Sequence, residues 1–199
     1  MAQIRRTHAE RRPEIADAAL RLIATRGVHE LTVASLAREL GLTGGALYRH
    51  FESTAEILEV AAARIAELLA ATLPDPALPP LEWLEAFVRS RAKAVGGQAG
   101  VGRLLMSEQF ALAMPKRALE SLRGAVRQTV QAVSATIARG QAAGVIRRDL
   151  EALALVPVVL GAVQVLALAQ SSAFQTRLTD PERTWSTLET LIAPPRSPR

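Results

Sequence analysis

The chain has 199 residues, of which 49% are hydrophobic and only 4% aromatic, and its formal net charge is +5 at pH 7. That length buries a sizeable core, and with so few aromatics the core must be aliphatic, an alanine- and leucine-rich profile that favours helices over sheets. There is no cysteine, which excludes disulfides, thiolate catalysis and the usual zinc knuckles and fits a reducing cytoplasm.

The positive charge belongs to arginine, since Lys93 and Lys116 are the only lysines. Arginine's planar fork suits phosphate and guanine recognition. Residues 1–52 hold eight arginines against six acids, so their total charge says little and its distribution says more. Arg5, Arg6, Arg11 and Arg12 crowd the first dozen residues against Glu10 alone. This reads as a basic arm that follows phosphates or a minor groove, or else as a solvated, disordered terminus. No apolar stretch follows at the distance a secretory signal requires.

In chain order, every predicted element is a helix. "PEIADAALRLIATRG" (13–27) opens with Pro13 in a favourable first-turn position, repeats apolar residues at 15, 18/19 and 22/23, and closes on Gly27. "TVASLAREL" is a short second helix with Thr32 as N-cap, and "LTGGALYRHF" a third, entered through Gly41. A fourth begins at Ser53, with Glu56 three residues on as a capping box, and carries apolar positions 57, 61, 65, 68 and 69.

"PDPALPP" breaks the chain at 74–80, and helices follow at about 81–95, 102–113 and 117–143. The last of these has the cleanest stripe, with Leu119, Leu122, Val126, Val130, Val133 and Ile137 stepping by three and four. An apolar segment at 150–171 and a helix at 181–193 complete about nine, and "PPRSPR" at 194–199 reads as a disordered tail. Residues 152–169 contain no charge over a span long enough for a membrane. Pro157, Gln164 and the isolation of the segment favour a soluble helix buried on every face, one side on its own domain and the other on a partner subunit. No stretch alternates with period two, so the fold class is all-α.

Residues 33–51 fit a helix-turn-helix. Leu36, Leu40, Leu42 and Leu47 fall where the short helices and the first helix must meet, Ala37 is small enough for a close crossing, and Gly41 stands at the turn. "LTVASLARELGLTGGALYRHF" followed by "ESTAEIL" resembles the N-terminal DNA-binding domain of TetR/AcrR-type transcriptional regulators, the close match covering about residues 13–58. Beyond it only helix count, order and length resemble that family.

The resemblance implies a three-helix DNA-binding domain with its basic arm at 1–52. A larger helical ligand-binding and dimerisation domain would then fill 53–193. It places Tyr48 and His50 against the phosphate backbone, although His50 could also simply fill space. Thr32 would hold a phosphate at the second helix, and Thr43, capping the recognition helix, would offer its hydroxyl and the helix amides to phosphate or base. Leu47 and Phe51 would be core.

Two departures from the pattern stand out. A lysine usual in the family is replaced by Thr54, which keeps a hydroxyl at a helix terminus but removes a charge. Gly44 stands where a base-reading side chain is common, beside the more usual small Gly45. Either the glycines are tolerated in a frayed first turn, or they let the helix backbone approach the major groove closely. Direct readout would then fall to Thr43, Ala46 and Arg49, with more specificity from Arg5, Arg6, Arg11 and DNA shape.

The resemblance also implies a homodimer on palindromic double-stranded DNA, formed by the last two helices. Val158, Gly161, Ala162, Val165 and Leu168 would pair there with Trp185, Leu188, Leu191 and Ile192. It further implies a small effector, hydrophobic if the lining is, held among the middle helices by Trp83, Phe87, Met106, Gln109, Phe110 and Met114, residues that equally suit plain core. The expected protein is a cytoplasmic, nucleoid-associated repressor released from its operator by that effector, without metal or cofactor. A rival reading keeps the DNA contact but gives the C-terminal domain a protein partner, as in nucleoid-occlusion adaptors. Catalysis is disfavoured, because His8, His29 and His50 have no metal-ligand spacing and no acid–base–nucleophile set stands out.

Overall fold

The structure, a computed structural model, describes residues 8–97, 101–170 and 180–195, without the side chains of residues 8–11, 103 and 170. Its described residues form ten α-helices and one 3-10 turn, with no strand among them: α1 (His8–Arg26), the 3-10 turn Val28–Glu30, α2 (Val33–Glu39), α3 (Gly44–Tyr48), α4 (Thr54–Ala71), α5 (Pro80–Gly97), α6 (Val101–Leu105), α7 (Glu108–Ala113), α8 (Lys116–Ala142), α9 (Ala152–Gln170) and α10 (Pro181–Ile192). Arg5 and Arg6 of the basic arm lie outside the described residues, as do the side chain of Arg11 and most of the 194–199 tail.

Two differences from the sequence reading are local. α1 begins at His8, which places Pro13 inside the helix rather than at its start. As the sixth residue of α1 the proline forgoes one intrahelical bond, to the carbonyl four residues back. The single helix expected over 102–113 is two, because Ser107 leaves the helical conformation and its hydroxyl accepts a bond from the Phe110 N–H, starting α7 afresh.

The chain forms two compact units, residues 1–67 with 98–124, and residues 68–97 with 125–199. Their division falls later than the 52/53 boundary drawn from the sequence. Most of α4 belongs to the first unit, and α6 and α7 join it because α6 packs on α1 and α7 on the 3-10 turn. Apolar positions of α1 such as Ile15, Ala19 and Leu22 are buried there with Leu36, Leu47 and Ile57, as the three- and four-residue spacing requires.

In the second unit α5 lies along α9 and α10 contacts both. Trp83, Phe87, Val133, Ile137, Val159 and Trp185 share its core. Trp185, Leu188 and Ile192 are therefore buried within this chain, and α10 has only Leu191 as a large apolar side chain facing out. The stripe of this three-turn amphipathic helix thus lies on its own core. Helix α9 is apolar on both sides, with Leu155, Val156 and Val159 inward and Leu153, Val158 and Val165 exposed. It is the one helix among the described residues long and apolar enough to cross a membrane.

Where α8 ends, Gly140 is buried, and a Cβ there would collide with the Ile146 side chain and lie 3.2 Å from Pro80 Cβ. Ile146 is itself fully buried, so it has nowhere to yield. We expect Gly140→Ala to lower stability by about 1–3 kcal/mol through overpacking, despite alanine's better helix propensity. In thermal unfolding that is a fall of roughly 2–12 °C at this chain length.

Candidate nucleic-acid interface

The helix-turn-helix is built from locally satisfied caps. Thr32 Oγ1 accepts from the Ser35 N–H at 3.0 Å while Ser35 Oγ accepts from the Thr32 N–H at 2.9 Å, closing a reciprocal box at the start of α2. Ser35 Oγ also donates to the Glu30 carbonyl at 2.5 Å, tying α2 to the 3-10 turn. This role for Ser35 was not read from the sequence. Its signal was a Thr-x-x-Ser spacing in place of the usual Glu or Gln at the third position.

Helix α2 ends in a Schellman motif. Gly41 has φ 63°, its N–H bonds the Arg38 carbonyl at 3.2 Å, and the Leu42 N–H reaches back to the Ala37 carbonyl at 2.8 Å. A side chain at Gly41 would be strained by that backbone. The chain then turns directly into α3, where Thr43 Oγ1 accepts from the Ala46 N–H at 3.2 Å.

Along α3, Leu47 is fully buried while the next residue, Tyr48, is 59% exposed. The exposed side of the motif carries Thr43, Gly45, Tyr48 and Arg49, flanked by the half-buried Gly44, Ala46 and His50. Thr54, also half-buried, opens α4 after the Ser53 cap, whose hydroxyl accepts from the Glu56 N–H at 3.2 Å. One helix start and one helix end therefore surround a short, solvent-facing α3. Amides at such starts attract anions.

Nothing lies within 4 Å of a Cβ added to Gly44 or Gly45. The protein's own packing therefore does not require either glycine. Alanine at Gly44 is expected to leave the fold intact or raise stability by at most about 1 kcal/mol. If the backbone meets DNA closely there, the same change weakens binding, and comparing thermal unfolding with fluorescence anisotropy on one DNA site separates the two readings. Binding unchanged by Gly44→Ala would leave only tolerance of a frayed turn.

Arg12, grouped with the basic arm in the sequence, is instead an internal staple. Its guanidinium donates to the His50 carbonyl at 3.1 Å and to Glu56 Oε1 at 2.9 Å, and it sits 4.7 Å over the Phe51 ring. Glu56 Oε2 in turn accepts from the Glu52 N–H at 2.8 Å. One arginine thus joins α1, the end of α3 and the start of α4. Both side chains are about one-third exposed, so the pair fixes geometry more than it adds stability.

The residues expected to hold an effector divide between the units. Trp83 and Phe87 stack in the second, with ring centroids 5.4 Å apart and planes 14° from parallel. Phe110 and Met114 are buried in the first, where Met106 and Gln109 are exposed. On the outer side of α9 and α10, Val158, Ala162, Thr187 and Leu191 line an open groove of about 460 Å³ that Arg183 borders.

Residues 15–61 match the family model of bacterial regulatory proteins of the tetR family. Over 50 residues the chain is 42% identical to the HTH-type transcriptional regulator SrpR of Pseudomonas putida, a match covering 25% of this chain and 24% of that one. The chain thus spans about a quarter of that curated relative's length. Two solved structures share the fold nearly end to end. The ketosteroid transcriptional regulator KstR2 of Mycobacterium tuberculosis is 20% identical with a TM-score of 0.77, covering 96% of this chain and 97% of that one. AibR in complex with isovaleryl coenzyme A and operator DNA is 19% identical with a TM-score of 0.74, covering 94% and 100%. The capped, glycine-turned helix pair lies inside the family-model match, so residues 15–61 form a helix-turn-helix domain of the kind found in bacterial regulatory proteins of the tetR family.

Proposed function

We propose that this protein is a transcriptional repressor that binds a palindromic operator as a homodimer and lets go when a small effector enters its C-terminal unit. The observation that carries the reading is the short α3, capped by Thr43 and pinned by Leu47, which presents Tyr48 and Arg49 to solvent. Thr32, Thr43, Gly44, Gly45, Ala46, Tyr48, Arg49, His50 and Thr54 form the DNA-facing set, joined by Arg5, Arg6 and Arg11 from the arm.

A single head of this size makes few base contacts, so specificity requires two on symmetric half-sites. The exposed side of α9, with Val158, Gly161 and Val165, supplies an apolar surface for a second copy, and Leu191 extends it onto α10. Ala162 and Leu168 flank it. A relative of the same fold solved with both an acyl-coenzyme A and operator DNA supports effector control, with Trp83 and Phe87 as the aromatic part of the binding region.

The test is capture of sheared genomic DNA by the purified protein at two salt concentrations, followed by sequencing. One or two palindromic sites retained at the higher salt, where phosphate-only binding fades steeply, support a local repressor. Many scattered sites would instead favour a chromosome-organising adaptor. No enrichment at either salt would sink the DNA-reading assignment.

A further inference from the structure

Arg91, midway along α5, is only 4% exposed. Its guanidinium donates to the Leu69 carbonyl at 2.6 Å, to Thr129 Oγ1 at 3.3 and 3.4 Å, and to Thr72 Oγ1. Thr72 and Thr129 are themselves more than nine-tenths buried. All of these partners are neutral oxygens, and no ion pair joins Arg91 to any carboxylate among the described residues. Burial pulls its pKa down to about 10, which still leaves a cation at neutral pH.

A buried cation without a counter-charge is an expensive feature for a core to keep. Leu69 lies in the last turn of α4, so the partial negative charge of that helix end offsets some of the cost. It supplies dipoles where a guanidinium is best matched by the two oxygens of a carboxylate. Next to the charge stands an apolar column. Arg91 lies 5.0 Å over the Phe87 ring, and Phe87 stacks on Trp83, the three spaced four residues apart along one side of α5.

We propose that Arg91 anchors the carboxylate of an amphipathic effector whose apolar body enters the core beside Phe87 and Trp83 by parting side chains packed there. This inference rests on the effector-controlled regulator proposed above and names the chemical class of its ligand: a monocarboxylic acid with an aliphatic or aromatic tail. Such a ligand competes with the end of α4 for the same N–H groups. Binding therefore exchanges the bonds to Leu69 and Thr72 for a bidentate pair with the acid, and loosens the last turn of the helix that begins at Thr54 beside the DNA-facing set.

The experiment follows thermal unfolding of the full chain with octanoate, decanoate and 4-phenylbutyrate, each against its matching primary alcohol. At about a hundred times its dissociation constant a ligand multiplies the folded-to-unfolded ratio about a hundredfold, a rise of roughly 5–10 °C here. We expect at least one acid to produce that rise and its alcohol to produce clearly less. Arg91→Met should erase the advantage of the acid over the alcohol. Arg91→Lys, which keeps a charge but loses the fork, should reduce it, and it serves as the test if the methionine variant does not fold.

Equal response to acid and alcohol in the unmodified chain, no response to any of the acids, or an acid preference that survives Arg91→Met or is undiminished in Arg91→Lys overturns the proposal. DNA capture is read separately. Operator sites without acid binding would defeat this inference and leave the regulator standing; Arg91-dependent acid binding without DNA capture would do the reverse.

Discussion

Val165→Asp is expected to turn the proposed homodimer into a monomer and to lower affinity for the proposed operator by about 10²–10⁴, the range over which linking two binding heads raises avidity. Val165 is 54% exposed on α9 and lies outside the chain's own core, so the change leaves intramolecular packing untouched. Across a twofold axis it would bring a carboxylate from each copy into an apolar contact. An uncompensated buried charge of that kind costs several kcal/mol, enough to dissolve an interface of ordinary size.

Sedimentation velocity reads the mass and fluorescence anisotropy reads the affinity. Gln131→Asp, on the exposed side of α8, is the control that adds the same charge elsewhere and should behave as the unmodified chain. Should Val165→Asp sediment as a dimer with unchanged affinity, α9 is not the subunit contact. The neighbouring groove lined by Val158, Ala162 and Leu191 would then need another occupant.

What the sequence disclosed and what it hid divides by distance along the chain. Caps and turns are chemistry within a few residues, so Thr32, Gly41, Thr43 and Ser53 could each be placed from their neighbours, and the structure puts a cap or a left-handed turn at all four. Arg12 looked like part of a basic arm because its partners, the His50 carbonyl and Glu56, stand 38 and 44 residues away. No periodicity reports such a pairing.

Arg91 carries no signal in the sequence for the same reason, since an arginine on a helix is ordinarily a solvated one. Only the meeting of α4, α5 and α8 buries it. For α9 the absence of charge made every face apolar without showing which side its own chain covers. The amphipathicity of its neighbour α10 shows that a stripe is covered without showing by what. Trp185, Leu188 and Ile192 are covered by their own chain.

Leu47 and Tyr48 are adjacent in α3, one fully buried and the other 59% exposed, and this contrast sets the second large effect. α3 has five residues, too few to hold a helix by local bonds alone, so its position depends on Leu47 and the Thr43 cap. Leu47→Ala should destabilise the first unit by about 2–5 kcal/mol, seen as an early transition in a circular-dichroism melt, and should abolish operator binding with it.

Tyr48→Ala should do the opposite to stability, leaving it within about 0.5 kcal/mol, as exposed positions generally do. The expected effect is on DNA binding, through the phosphate contact proposed for Tyr48. Loss of one hydrogen bond to a phosphate, a charged acceptor, is worth roughly 1.5–3 kcal/mol, or at least about tenfold in affinity. The loss should be uniform across DNA sequences, and the salt dependence should not change, because a phenol displaces no counterion. Affinity equal to that of the unmodified chain after Tyr48→Ala would remove Tyr48 from the interface. A stable fold with intact DNA binding after Leu47→Ala would mean that α3 is held by something other than its buried leucine.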